Sequence, residues 1–269
     1  MLKYFFRKII SSNFSYKFRN FVNFRPNIYL KPVTYGSPIS DFFYWINLDP
    51  FETEFSLMNI SSHILPDLKQ DDSVIFYIFD NKGSLIKIYE TLLKNLQIKK
   101  INFSNFNIIG FGSFYVFHRP KNIESLINLK TFISERGYVG YRRDKKIWNY
   151  MHGNHNAAYL SDDNKIISLT AYSFLANEYI PQLTFLDVNT FSLIFNNSMN
   201  KSIIFKIYTY DSNNNFIEKF SFKLKSLMTL KMNINSSFNV SYIKIKSKVI
   251  FCRPIIFKEY NTYFDIFHG

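Results

Sequence analysis

Hydrophobic and polar residues alternate along much of the C-terminal half of the chain. The alternation covers residues 220–224, continues over residues 228–234 after a change of phase near Leu227, and returns over residues 243–249, where the polar partners are lysines. A period of two residues is typical of a strand with one buried face. The pattern predicts three strands, with a bend or bulge at Leu227.

Parts of this pattern occur twice. An aromatic-x-Arg-Pro step followed by a His-Gly step is found at residues 117–120 and 152–153, and again at residues 251–254 and 268–269. Phe55-Ser56-Leu57 also recurs as Phe191-Ser192-Leu193, at nearly the same distance before the arginine of its copy. Since order and spacing are both kept, we interpret the repeat as an internal duplication that gives two domains.

The repeat also assigns structure to ambiguous segments. Asp80 and Asp211 each open a polar turn rich in Asn or Gly, which predicts a hairpin loop in each copy. The segment from Leu85 to Leu96 has apolar residues at helical spacing, but its counterpart alternates with a period of two. We therefore predict that Leu85 to Leu96 is mainly extended.

Short strands separated by regular turns favour an all-β fold of two tandem, duplicated antiparallel β-sandwiches with little helix. The predicted organisation is a basic N-terminal arm at residues 1–40, a first sandwich at 41–155 and a second sandwich at 156–269. The first copy has extra residues between its Arg-Pro and His-Gly steps. These predict a long loop insertion within residues 121–150, seen as an exposed hairpin or an irregular loop.

Charge and cysteine content narrow the classes of partner and compartment. The net charge is +13, and residues 1–40 contain seven bases and no acid. Such a chain attracts nucleic acid, anionic lipid or acidic polysaccharide, although we favour the simpler explanation that the excess comes from solvated lysines on outward strand faces. Residues 1–25 suit a short amphipathic basic helix, which is either a targeting segment or, as we favour, an arm lying on the protein body.

Cys252 is the only cysteine, which excludes an intrachain disulfide and a cysteine-based zinc site. The composition fits a reducing compartment, so the expected location is cytoplasmic. No apolar run approaches the roughly 18 residues of a transmembrane span.

The predicted insertion contains the candidate ligand-binding residues. Long insertions on rigid sandwiches are often functional, although a loop that packs one domain on the other is an equal alternative. Aromatic and basic side chains close together can stack on sugar rings or on bases. No nucleic-acid-binding module is recognisable, so carbohydrate, including acidic polysaccharide, is the leading ligand class. The candidate residues are Tyr138, Tyr141, Arg142, Arg143 and Trp148.

Histidines supply a second candidate site. His152, His155 and His268, with Asp265, have the imidazole and carboxylate groups that bind zinc or a similar divalent ion. The simpler alternative is that His152 and His268 close the last strand of each copy and bond a neighbouring backbone carbonyl. We favour this structural role because the His-Gly step recurs in both copies.

Common nucleotide-binding and hydrolase motifs are absent from the sequence. We therefore expect a non-catalytic binding or accessory protein, possibly for carbohydrate. One alternative is a metal-assisted enzyme that uses the histidines and Asp265. The other is a structural subunit, such as a viral coat protein.

Overall fold

A computed structural model describes residues 12–22, 35–181, 188–235, 240–250 and 253–268, and these are nearly all β. The fold is an all-β, sandwich-type fold, as the alternation predicts. The strands of the first half are β1 (Pro38–Asn47), β2 (Phe51–Met58), β3 (Asp72–Asp80), β4 (Leu85–Leu93), β5 (Ile98–Asn102), β6 (Gly110–Pro120), β7 (Ile133–Glu135), β8 (Tyr138–Arg143), β9 (Asn149–His152), β10 (Asn154–Leu160) and β11 (Ile166–Ser168).

The second half contains eight strands in the described part of the chain. They are β12 (Tyr172–Tyr179), β13 (Thr190–Asn196), β14 (Ile203–Tyr210), β15 (Phe216–Leu224), β16 (Thr229–Asn235), β17 (Tyr242–Val249), β18 (Ile255–Glu259) and β19 (Phe264–His268). The helices are short. They are α1 (Asn13–Val22), α2 (Ile60–Ile64) and α3 (Ile123–Asn128), with 3₁₀ turns at Pro66–Leu68 and Phe103–Phe106.

The two halves share one strand order. The first half has the sheets β11-β10-β1-β6-β3-β4, with β7 paired in parallel to β1, and β5-β2-β8-β9. The second half has the sheets β12-β17-β14-β15 and β16-β13-β18-β19. The strands β7, β10 and β11 have no counterpart among the described residues of the second half. When they are set aside, the two halves have the same strand order in both sheets. In this match β1–β6 correspond to β12–β17, β8 corresponds to β18, and β9 corresponds to β19.

Local backbone features agree with this match. The predicted hairpins form at Asp80 and Asp211, where each carboxylate accepts from two amides of its turn. The segment beginning at Leu85 is strand β4, as predicted. Leu227 has φ 60 between β15 and β16, which confirms the predicted bend, and Leu96 has φ 55 between β4 and β5.

A buried asparagine fixes this bend in each half. Asn59 follows β2 and Asn197 follows β13, and both are fully buried. Each donates from Nδ2 to backbone carbonyls near the end of the neighbouring strand. The acceptors are Gln70, Leu93 and Lys94 in the first half, and Lys201, Leu224 and Lys225 in the second half.

We expect Asn59→Ala and Asn197→Ala each to lower the free energy of unfolding by roughly 1–3 kcal/mol, because buried carbonyls lose their donor. Urea denaturation measures the change, with Asn213→Ala in the exposed β14–β15 turn as the control. Asparagine variants as stable as the control would show that these bonds do not stabilise the fold.

The strand pairing revises how the repeat is aligned. Arg119 lies in β6 opposite Ser73, whereas Arg253 precedes β18, in the position that Arg136 occupies before β8. The two Arg-Pro steps are therefore not equivalent positions. His152 and His268 are equivalent, because they lie opposite the first residues of β8 and β18, respectively.

The pairing also places the predicted insertion and the boundary between the halves. The extra residues of the first half lie between β6 and β8, where they form α3 and β7. Residues 138–152 are the hairpin β8–β9. Because β10 pairs with β1 and β11 with β10, the first sheet continues to Ser168, beyond the predicted boundary at residue 155.

The halves pack through apolar side chains of β18 and β19. Phe257 and Phe264 lie edge-on against Phe51, with ring centroids 5.8 and 5.4 Å away. Ile255 and Ile266 join the same buried cluster. The outward face of the β13–β18–β19 sheet is therefore buried against the first half.

Candidate functional site: an aromatic face on the first sandwich

Alternation along β8 divides the predicted ligand-binding residues between two faces. Tyr138 and Arg142 lie on one face, and Tyr141 and Arg143 lie on the other. Tyr138 is 59% exposed, whereas Tyr141 is fully buried. Trp148 is half-buried in the β8–β9 turn, beside Arg142. Only Tyr138, Arg142 and Trp148 of the predicted set therefore share one surface.

Tyr141 and Arg143 belong to the contact between the halves. The Tyr141 hydroxyl donates to the carbonyl of Tyr44 at 2.7 Å, and its ring packs 5.3 Å from that of Phe257. Arg143 Nη1 donates to the carbonyl of Tyr260 at 3.1 Å. We correct the prediction for Tyr141, because a buried ring cannot serve as an exposed ligand platform.

Tyr150, which the sequence analysis did not select, lies at the centre of the exposed surface. Its ring lies over Gly140 on the adjacent strand, so that a Cβ atom at Gly140 would lie 2.6 Å from Cε1 of Tyr150. Its hydroxyl donates to Glu54 Oε1 at 2.5 Å and accepts from Lys100 Nζ at 2.9 Å. Burial and the bond to Glu54 raise the pKa of Tyr150, which keeps the hydroxyl protonated.

Trp148 is fixed in a similar way. The Arg142 guanidinium lies 4.6 Å from the centre of the indole, and its Nε and Nη2 donate to Glu52 Oε2 at 3.0 and 2.6 Å. The rings of Trp148 and Tyr150 are 6.5 Å apart and inclined by 35°. We call this surface of β2, β5, β8 and β9 the aromatic face. It displays Glu52, Lys100, Tyr138, Arg142, Trp148 and Tyr150, and it includes the buried Glu54, whose carboxylate holds the Tyr150 hydroxyl.

The corresponding surface of the second half is apolar and buried. By strand register, Tyr138 matches Ile255, Gly140 matches Phe257, Trp148 matches Phe264 and Tyr150 matches Ile266. All four residues of the second half are buried against the first. The same sheet position thus forms the contact between the halves in the second half and an exposed, polar and aromatic surface in the first.

The predicted metal ligands are only partly brought together. His268 Nε2 lies 3.2 Å from His152 Nδ1 and 3.0 Å from the His152 carbonyl oxygen. Asp265 is exposed, three residues from His268 and so on the opposite face of β19. The side chain of His155 lies outside the described residues. Across the described ranges, no group of three or more His, Cys, Asp or Glu residues could hold a metal ion.

The histidine contacts have the form expected of a structural role. His152 Nδ1 lies 3.0 Å from the carbonyl oxygen of Gly153, so each histidine has a backbone carbonyl as a neighbour. Gly153 is needed for packing, because a Cβ there would lie 2.5 Å from Cβ of Asp41. Among the described side chains only these two imidazoles meet here, whereas catalytic zinc sites typically have three protein ligands.

The sequence analysis also missed a buried cluster of charged side chains. His118 Nδ1 lies 2.7 Å from Asp72 Oδ2, and Nε2 lies 2.6 Å from Glu135 Oε2. All three side chains are buried. Burial lowers the pKa of His118, but the hydrogen bonds with Asp72 and Glu135 outweigh it and raise the pKa to about 9. Because carboxylates occupy both ring nitrogens, the cluster joins β3, β6 and β7 rather than offering a base.

Asp41 lies near this cluster, on β1. It is 1% exposed, and Arg136 Nε is 3.5 Å from its Oδ2. Burial raises the pKa of Asp41 to about 7, against the opposing effects of Arg136 and Arg253. The arrangement makes Asp41 a buried carboxyl group that titrates near neutral pH.

A separate cleft of about 280 Å³ lies between the β8–β9 and β18–β19 turns. Arg143, Lys146, Ile147 and Tyr263 are among the residues that line it. Lys146 Nζ donates to the carbonyl of Thr262 at 3.0 Å. Since Lys146 and Arg143 bond backbone carbonyls across this junction, we regard the cleft as part of the contact between the halves.

The sequence was compared with protein-family models and with curated proteins. The chain matches no protein-family model and no curated protein sequence. Among the described residues, no helix has the length and apolar character required to cross a bilayer.

Proposed function

We propose that the protein is a non-catalytic binding or accessory protein, and that its ligand is a carbohydrate bound on the aromatic face. The observation that carries the proposal is the placement of Tyr150, whose ring is held over Gly140 beside Trp148. An aromatic ring offers a rigid apolar surface with a polar edge, which suits a sugar ring and its hydroxyls. Glu52, Lys100 and Arg142 border the rings with hydrogen-bonding groups.

Preorganisation supports this function. Glu54 and Lys100 hold the Tyr150 hydroxyl, and Arg142 stacks on Trp148, so a ligand would order few side chains on binding. The two carboxylates and two cations of the face balance in charge. We therefore expect a neutral glycan to bind at least as well as an acidic polysaccharide.

We infer further that the two halves arose by duplication. The shared strand order and the matching bonds of Asn59 and Asn197 support this origin. On this view, an ancestral sheet face was retained as an interdomain contact in the second half. The exposed face of the first half is then the part that was free to acquire a ligand.

Tyr150→Ala and Trp148→Ala should each weaken glycan binding roughly tenfold, because a buried aromatic side chain contributes about 1.5 kcal/mol or more. Gly140→Ala should also weaken binding, since the new Cβ displaces the Tyr150 ring. Calorimetric titration with members of a polysaccharide panel measures these changes.

Tyr263→Ala is the matched control, because Tyr263 is 57% exposed but lies outside the aromatic face. It should bind like the unmodified protein. The proposal is wrong if no member of a broad panel binds, or if Tyr150→Ala and Trp148→Ala bind as well as Tyr263→Ala.

A further inference from the structure

Helix α1 carries an exposed row of phenylalanines. Phe14, Phe18 and Phe21 are 79%, 57% and 53% exposed. Their spacing of four and three residues places them on one side of the helix. The rings of Phe14 and Phe18 are stacked 6.5 Å apart. The row is therefore a continuous apolar strip rather than scattered side chains.

The strip continues onto the second sandwich. The Phe21 ring stacks 4.7 Å from that of Phe174 on β12. Phe174 is itself 57% exposed. We call Phe14, Phe18, Phe21 and Phe174 the phenylalanine patch. Contiguous exposed apolar patches of this kind mark interaction sites more often than isolated apolar residues do.

Positive charge borders the patch. Lys17 is exposed on α1, and Lys248 Nζ lies 5.1 Å from the centre of the Phe174 ring. Helix α1 also carries Arg19 and contains no acidic residue. A partner that matches this surface offers an apolar region bordered by negative charge.

We propose that the phenylalanine patch docks on an anionic lipid membrane, with the phenyl rings at the boundary of the acyl chains and the basic residues among the headgroups. Helices with an apolar strip and cationic flanks lie in this way in the interface of a bilayer. Each lysine or arginine near an anionic surface adds to the attraction. A membrane fits better than nucleic acid, because the patch offers four phenyl rings without a hydrogen-bonding group.

Flotation of the full chain with lipid vesicles tests the proposal. The protein should float with vesicles that contain phosphatidylglycerol, less with phosphatidylcholine alone, and less again at high salt. Phe18→Ser should lower the partition coefficient roughly tenfold, and Phe14→Ser combined with Phe18→Ser should lower it further. Lys17→Glu should weaken binding mainly at low salt.

Ile88→Ser on β4, where Ile88 is 49% exposed, is the matched control and should float like the unmodified protein. Circular dichroism checks that all variants are folded. The proposal is overturned if anionic vesicles do not retain the protein, or if Phe14→Ser with Phe18→Ser leaves flotation unchanged. It is also overturned if Phe14→Ser with Phe18→Ser abolishes oligonucleotide binding or self-association while flotation with vesicles is unchanged. Glycan binding should be unaffected by these variants, which separates this test from that of the aromatic face.

Discussion

Replacing His118 by alanine is expected to lower the free energy of unfolding by about 3–5 kcal/mol at pH 7, the usual loss when one partner of a buried ion pair is removed. His118 lies between Asp72 on β3 and Glu135 on β7, with all three side chains excluded from solvent. Without the imidazolium, two buried carboxylates lose their shared partner. They must then be protonated, hydrated by local opening, or remain charged in an apolar setting.

Chemical denaturation at pH 7 measures this loss, with His63→Ala as the control. His63 is exposed on α2, so its replacement should change the free energy of unfolding by less than about 0.5 kcal/mol. If His118→Ala unfolds the protein outright, the milder Asp72→Asn and Glu135→Gln variants give the same comparison. A loss below about 1 kcal/mol for His118→Ala would contradict the assignment of a buried ion pair.

The pH dependence separates the ion pair from simple packing. The pKa of His118 is raised from 6.5 to about 9, so the folded protein binds this proton more tightly than the unfolded chain. The stabilisation is then fully present below pH 6.5 and is lost as the pH rises through 9. In the His118→Ala variant, the free energy of unfolding should no longer fall between pH 6.5 and pH 9. If His118 stabilised the fold only by filling space, the variant and the unmodified protein would show the same pH dependence.

Local alternation was enough to predict β15, β16 and β17, because that signal lies within a few residues. The β4 segment shows the limit of that signal, since its helical spacing is overruled only by comparison with β15. Asn59 was missed because its acceptor Leu93 lies 34 residues away, a contact that exists only once β2 and β4 are folded. The Arg-Pro steps misled the alignment, because matching letters at Arg119 and Arg253 occupy different strand positions.

The residues of the candidate site were also only partly predictable from the sequence. The sequence located the hairpin of the candidate site but not its two faces, since the choice between Tyr141 and Tyr150 depends on strand register. Tyr150 follows Trp148 by two residues, so alternation along β9 was the available signal. The partners of His118 are 46 and 17 residues away, and no local pattern connects them. Long-range pairing therefore decides which polar residues become buried and which remain available to a ligand.

Asp41→Asn is expected to stabilise the protein at pH 8 by up to roughly 4 kcal/mol, the value of about three pKa units. Burial raises the pKa of Asp41 from 3.8 to about 7, so folding must either take up a proton or bury a charge. For a carboxyl group with a raised pKa, the folded state is favoured most below pH 3.8. That advantage is lost progressively as the pH rises to 7. Asparagine is neutral throughout and does not incur this loss.

Denaturation of both proteins from pH 4 to pH 8 measures the effect, and the two curves should converge at the acidic end. Asp163→Asn is a control in which the pKa of the carboxyl group is lowered rather than raised. Its hydrogen bond with Lys165 lowers the pKa of Asp163, and the group is exposed, so its replacement should bring only a slight loss at neutral pH. If Asp41→Asn were less stable than the unmodified protein at pH 8, where a carboxyl group with a pKa of about 7 is largely ionised, the ionised Asp41 side chain would stabilise the folded state. Its attraction to Arg136 and Arg253 would then outweigh the cost of burying the charge, and the contact would be an ion pair rather than a site of proton uptake.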